Sequence, residues 1–161
     1  MQAPSPFEIL KSLNLLSWTA LLVGWERGWV TKANLDDYAT TQLQSDVSDV
    51  DLAATATLAS ANHLAAAEIA EPLKQLAGRE AERDEITLDK WRLARLIELK
   101  SMQLDSDDKV IRLEELGAEF GYPQDMRFCS RYVGSEETNV AGPLDAMNSV
   151  ISELRRRLGV G

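Results

Sequence analysis

Apolar positions along the chain recur at three- and four-residue spacing, and capping or breaking residues stand between the runs. Ser5-Pro6 opens the first run, with proline at a first helical position where its missing N–H costs nothing. Ser17 opens a second run and Gly28 closes it. Inside, Trp18, Leu22, Trp25 and Trp29 fall at i, i+4, i+7 and i+11, a single stripe of a 3.6-residue helix. Arg27 is the one cation between Leu15 and Lys32, so the rings lack the basic neighbours of a stacking platform and read as one wall of a core.

Thr31 caps a third helix running to about Gln44, with Leu35, Tyr38 and Ala39 on its apolar side. Beyond the polar turn "QSDVSDVD", Ser48 caps an alanine-rich helix from Val50 through "LAATATLASANHLAAAEIA". Pro72 is expected to restart a helix that Gly78 ends, and "REAERDE" to be solvated. Thr87 caps the next helix. There Leu93, Leu96 and Ile97 lie nearly opposite Leu88, Trp91, Leu99 and Met102, the pattern of a central helix buried between neighbours. "DSDDKVIRLEELGAEFGYP" reads as an N-cap, an acidic first turn, an amphipathic helix and a stop. Residues 124–141 lack a helical period, and "RFCSRYVG" predicts a short extended segment near 127–133. A last helix starts at Pro143, with a stripe of Leu144, Met147, Ile151, Leu154 and Leu158 and with Arg155, Arg156 and Arg157 in its final turn, where cations suit the helix dipole. The pattern predicts an all-α bundle or right-angled array of about eight helices. A chain of 161 residues suits one domain, 1–161.

Composition adds limits. One cysteine, Cys129, allows no internal disulfide and fits a reducing cytosol. No apolar run approaches the roughly 20 residues of a membrane span, and "MQAPSPFEILK" lacks the pattern of a secretory signal. The expected location is cytoplasmic. The formal net charge of −9 argues against nucleic acid and anionic membrane as partners. It suits a basic protein partner, because opposite fields speed encounter.

Catalytic signals are sparse. The single histidine, His63, sits in the alanine-rich stretch, and Cys129 in "RFCSRY" has no glycine turn or helix start to lower its pKa. One Cys and one His do not make a usual zinc set, and no phosphate-binding glycine loop is present. No cofactor is expected. Asp105, Asp107 and Asp108 could hold Mg²⁺ or Ca²⁺ in a metal-dependent hydrolase, but the glycine and distal glutamate of a calcium loop are missing. The simpler reading makes Asp105 or Ser106 a cap, the other acids favouring the positive helix end, with no metal. A helical adaptor with an exposed apolar groove is a further alternative.

The carboxylates also form two acidic segments. Asp36, Asp37, Asp46, Asp49 and Asp51 give residues 31–51 a net charge of −4. Residues 105–119, with Asp105, Asp107, Asp108, Glu114, Glu115 and Glu119 against Lys109 and Arg112, are also −4. These acids are the candidate partner-binding residues, and side by side they would make one acidic face.

The ordered set "LSW" at 16–18, Gly24, "GWV" at 28–30, Tyr38-Ala39 with Leu43, "DLA" at 51–53, "KW" at 90–91, "FGYP" at 120–123 and "RY" at 131–132 resembles the bacterial family catalogued as domain of unknown function 2247. One departure is Val133-Gly134 after the "RY" pair, where a proline is expected. The family supplies no catalytic residues. Its members are similar in kind to small cytosolic proteins found beside polymorphic toxins, including contact-dependent inhibition systems. The resemblance thus implies an immunity protein that binds and neutralises a toxin, many such toxins being nucleases with basic surfaces.

Overall fold

In the computed structural model, which describes residues 4–129 and 142–160, the protein is all-α. Eight α-helices lie among the described residues: α1 (Pro6–Ser12), α2 (Trp18–Arg27), α3 (Lys32–Leu43), α4 (Asp49–Leu58), α5 (Ala66–Gly78), α6 (Asp84–Ser101), α7 (Ser106–Glu119) and α8 (Pro143–Leu158). Two 3-10 turns, Ala61–His63 and Gln124–Cys129, complete the set. The extended segment expected near 127–133 is corrected as far as Cys129, which ends a 3-10 turn with Met126 and Cys129 buried. The rest of that segment, including the "RY" pair and Val133-Gly134, lies outside the described residues.

The chain groups into two compact units, Asn14–Thr87, and Met1–Leu13 with Leu88–Gly161. In the first, α5 packs against α2 and α4, and α4 against α3. Leu21, Leu35, Leu58, Ile69 and Leu73 are fully buried. In the second, α7, α8 and the 124–129 turn pack on one another. Phe7, Leu10, Trp91, Leu93, Leu96 and Leu113 are sealed from solvent there.

Local signals set most helix ends. Ser5 Oγ accepts the Glu8 N–H at 3.2 Å, and Ser17 Oγ accepts that of Ala20 at 3.0 Å. Thr31 and Asn34 form a reciprocal capping box at 3.1 and 2.9 Å. Asp105 Oδ1 accepts the Asp108 N–H at 2.8 Å. Gly28 and Gly159 close α2 and α8 in the left-handed region, at φ +79° and +73°. At "FGYP", Tyr122 N–H reaches back to the Gly117 carbonyl at 2.7 Å and ends α7.

Four expectations need correction. The alanine-rich stretch is not one helix: α4 stops at Leu58, and α5 begins only at Ala66. The Thr55 and Thr57 hydroxyls donate to the carbonyls of Asp51 and Ala53 at 2.8 and 2.9 Å, a back-bonding that weakens helices. Asn62 instead donates to Asp36 on α3 at 3.2 Å, fixing the turn. Second, Pro72 lies inside α5 rather than restarting it. An internal proline costs about 3 kcal/mol. Fully burying Ile69 and Leu73 on either side returns roughly 1.5–3 kcal/mol each and outweighs that cost. Third, α6 begins at Asp84, so Thr87 is an interior residue rather than a cap. It is buried and donates to Glu82 at 2.5 Å.

The fourth concerns the tryptophans. The buried face of α2 is Ser17, Ala20, Leu21 and Gly24, with Trp18 at its edge. Leu22 and Trp25 are only half-buried on the adjoining face. Trp29 follows the Gly28 turn and so leaves the helical stripe, with the Arg27 guanidinium 5.3 Å from its ring centre. Trp18 does serve the core and meets Tyr38 edge-on at 4.7 Å between ring centres.

Candidate functional site

The five aspartates of 31–51 belong to the Asn14–Thr87 unit and divide by role. Asp36, half-buried on α3, accepts from Asn62 and from Thr40 at 3.4 Å. Asp51, in the first turn of α4, pairs with Arg79 at 2.7 Å and accepts from Ser48 Oγ at 3.1 Å. Ser48 thus stands at the cap position but serves Asp51 rather than a backbone N–H. Asp37 is half-buried. Asp46 and Asp49 are exposed, and neither forms an ion pair with a described residue. They stand among Leu43, Val50 and Leu52, which are 37%, 59% and 47% exposed.

The acids of 105–119 belong to the other unit and fall at the two ends of α7. Asp105, Asp107 and Asp108 crowd its N-terminus, all exposed. Asp105 is engaged as the cap, and the other two favour the positive end of the helix. Glu114 and Glu115 follow two turns later, roughly 10 Å along the axis at 1.5 Å per residue. Glu115 and Glu119 line a groove of about 150 Å³ between α6 and α7, with Arg95, Glu98 and Arg112 around them and Leu99, Met102 and Leu116 completing the lining. Arg95 pairs with Glu119 at 2.8 Å and lies 3.9 Å from Glu98. Burial raises the Glu98 pKa, against the opposing pull of Arg95 and Arg112.

Two polar clusters escaped the sequence reading. The first is in "REAERDE", where Glu80 and Glu82 turn inward. Glu80 accepts the backbone N–H groups of Trp18 and Thr19 at 3.1 and 2.7 Å, and the Thr19 hydroxyl at 2.7 Å. Glu82 accepts from Ser17 and Thr87. The N-terminus of α2 is therefore held by a carboxylate 61 or 62 residues away in sequence. Burial, with Glu80 and Glu82 adding repulsion, pushes the Tyr38 hydroxyl up to about 12. The second cluster surrounds Arg92, a 5%-exposed cation on α6. It grips both oxygens of Asp125, one at 2.9 Å, and Asp89 at 3.1 Å. Arg157 on α8 closes the group, 3.0 Å from Asp89. Burial alone would lower the Arg92 pKa, but the bonds to Asp125 and Asp89 outweigh it and raise the pKa. One signal was available: an arginine in the tightly buried run 90–94 demands carboxylates.

His63 is exposed in the 61–63 turn, not on a helix as expected. Cys129 is buried, and burial, with Asp125 adding and Arg92 opposing, pushes its thiol up to about 11, which keeps it protonated at neutral pH. Among the described residues, no three His, Cys, Asp or Glu side chains group to hold a metal ion. Among the described residues, no helix is long and apolar enough to cross a membrane.

No curated protein and no solved structure matches the chain. The family model described as "Uncharacterized protein conserved in bacteria" (DUF2247) matches residues 7–158, the span from α1 to the end of α8, and the chain belongs to that family.

Proposed function

We propose that this protein is an immunity-type binding protein. It neutralises a cognate bacterial toxin, such as a basic nuclease of a contact-dependent inhibition system, by direct protein–protein contact in the cytoplasm, and it is not an enzyme. The observation that carries this reading is the stretch from Leu43 to Leu52, where exposed Leu43, Val50 and Leu52 flank exposed Asp46 and Asp49. The fold accounts for Asp36, Asp51, Asp89, Asp125, Glu80 and Glu82 through bonds they already make. It does not account for apolar side chains left in water beside carboxylates that lack a cation. Interfaces combine an apolar centre with a polar rim, and rim charges mainly accelerate encounter with a partner of opposite sign. The net charge of −9 favours such a partner over nucleic acid or anionic lipid.

The test is co-expression of the tagged chain with the product of the adjacent gene. The expected result is a stoichiometric complex that weakens with salt and with Asp46→Lys/Asp49→Lys or Asp107→Lys/Asp108→Lys. A complex indifferent to every charge reversal would move the interface away from these acids. Failure to capture any neighbouring product would sink the immunity reading.

A further inference from the structure

Tyr122 is 78% exposed, more than any other large hydrophobic side chain among the described residues, and its backbone sits at φ +56°. Gly121, at φ +75°, turns the chain past the end of α7, and the Tyr122 N–H then donates back to the Gly117 carbonyl at 2.7 Å. Positive φ crowds a β-carbon, so asparagine or glycine meets this backbone at lower cost than tyrosine. The side chain offers no compensating contact. It has no hydrogen bond or ring contact with a described residue, and Ala118 and Gly121 are exposed as well. Stability of the fold therefore does not account for a tyrosine here, and strain of this kind points to a role outside the fold.

Tyrosine suits an interface, because it offers a large, rigid contact with few rotamers to freeze. Gly121 and Pro123 on either side hold it in place. Local charge selects the partner. The carboxyl end of α7 is the negative pole of the helix, and its last turn carries no basic residue. Between Leu113 and Met126 the chain has Glu114, Glu115, Glu119 and Asp125 and no Lys or Arg. Arg95 and Arg92 answer Glu119 and Asp125 from α6. A second copy, itself at −9, would bring like charges together. We propose that Tyr122 is an aromatic anchor for a basic protein, seated in a pocket whose rim cations face the acidic end of α7. This rests on the binding-protein reading above and adds a contact to it.

The test uses the full chain and the co-expressed product of the adjacent gene, with binding read by biolayer interferometry and folding by thermal melting. Tyr122→Asn removes the ring and relieves the backbone. Its Tm should stay at or above that of wild type, while dissociation from the partner quickens at least about tenfold, as for an interface anchor. Tyr122→Phe keeps the ring and should hold that rate within about threefold of wild type. Glu115→Gln should slow association and leave dissociation near wild type, as a rim charge does. A lower Tm in Tyr122→Asn would show that the ring serves the fold and would overturn the proposal. Dissociation unchanged by Tyr122→Asn would overturn it too and leave the immunity reading standing. Association indifferent to salt and to Glu115→Gln would refute a basic occupant. Self-association of the chain alone, lost in Tyr122→Asn, would give the tyrosine to a second copy instead. Absence of any complex removes the immunity reading and the anchor with it.

Discussion

Glu80 holds the start of α2 from across the sequence, and truncating it should destabilise the fold more than any other change at a half-exposed carboxylate of this unit. In Glu80→Ala the Trp18 and Thr19 amides and the Thr19 hydroxyl lose their common acceptor. Ser17 still serves Ala20, so the first turn keeps one of its caps. Hydrogen bonds to charged groups contribute about 1.5–3 kcal/mol each. Glu80 is only half-buried, so water replaces part of that, and the low end applies to the two amides. The expected loss is about 3 kcal/mol. At about 2–4 °C per kcal/mol for a chain of this size, Tm should fall by roughly 6–12 °C. Glu80→Gln keeps an acceptor but loses the charge at the positive helix end, and should cost about 1 kcal/mol. Urea unfolding followed by tryptophan fluorescence measures both, with Glu71→Ala on the exposed face of α5 as a control expected within about 0.5 kcal/mol of wild type. If Glu80→Ala matches that control, the bonds to α2 do not hold the helix and the reasoning fails.

Trp91→Ala removes a ring with no solvent exposure and should cost about 3–5 kcal/mol in the same assay. Trp25→Ala, on a half-buried ring, should cost less than half of that, and equal losses would restore Trp25 to the core. Stability should also fall at alkaline pH. The Cys129 thiol and Tyr38 hydroxyl are raised in the folded state to about 11 and 12 from ordinary values of 9 and 10. The unfolded chain therefore ionises first: both contributions are intact below pH 9, and they are lost between 9 and 11 for Cys129 and between 10 and 12 for Tyr38. Cys129→Ala and Tyr38→Phe should each flatten the decline in urea unfolding across that range, and an unchanged slope would refute the assignment.

The sequence by itself determined what depends on neighbours within four residues. Ser5, Ser17, Thr31 and Asp105 mark helix starts because each side chain reaches an amide only three residues on. Gly28, Gly159 and the Gly121–Tyr122 pair mark ends because the chain must turn through positive φ there. The acidic charge and helical class came from the same local content. Spacing also placed the buried sides of α3 (Leu35, Ala39) and α8 (Met147, Ile151, Leu154), whereas in α2 only the tertiary structure decided which face is buried. Helical spacing put Trp18, Trp25 and Trp29 on one stripe, yet α2 buries Trp18 with Ala20, Leu21 and Gly24 and leaves Trp25 and Trp29 half-buried. Tertiary structure also decided that Glu80 and Glu82 face inward and that Arg92 has partners, since Arg92 and Asp125 stand 33 residues apart and Asp89 and Arg157 stand 68 apart. A charge run has the same spelling whether it is solvated or gripped by amides. Only packing brings the desolvated donors within reach, and an unpaired charge there would cost more than the fold gains.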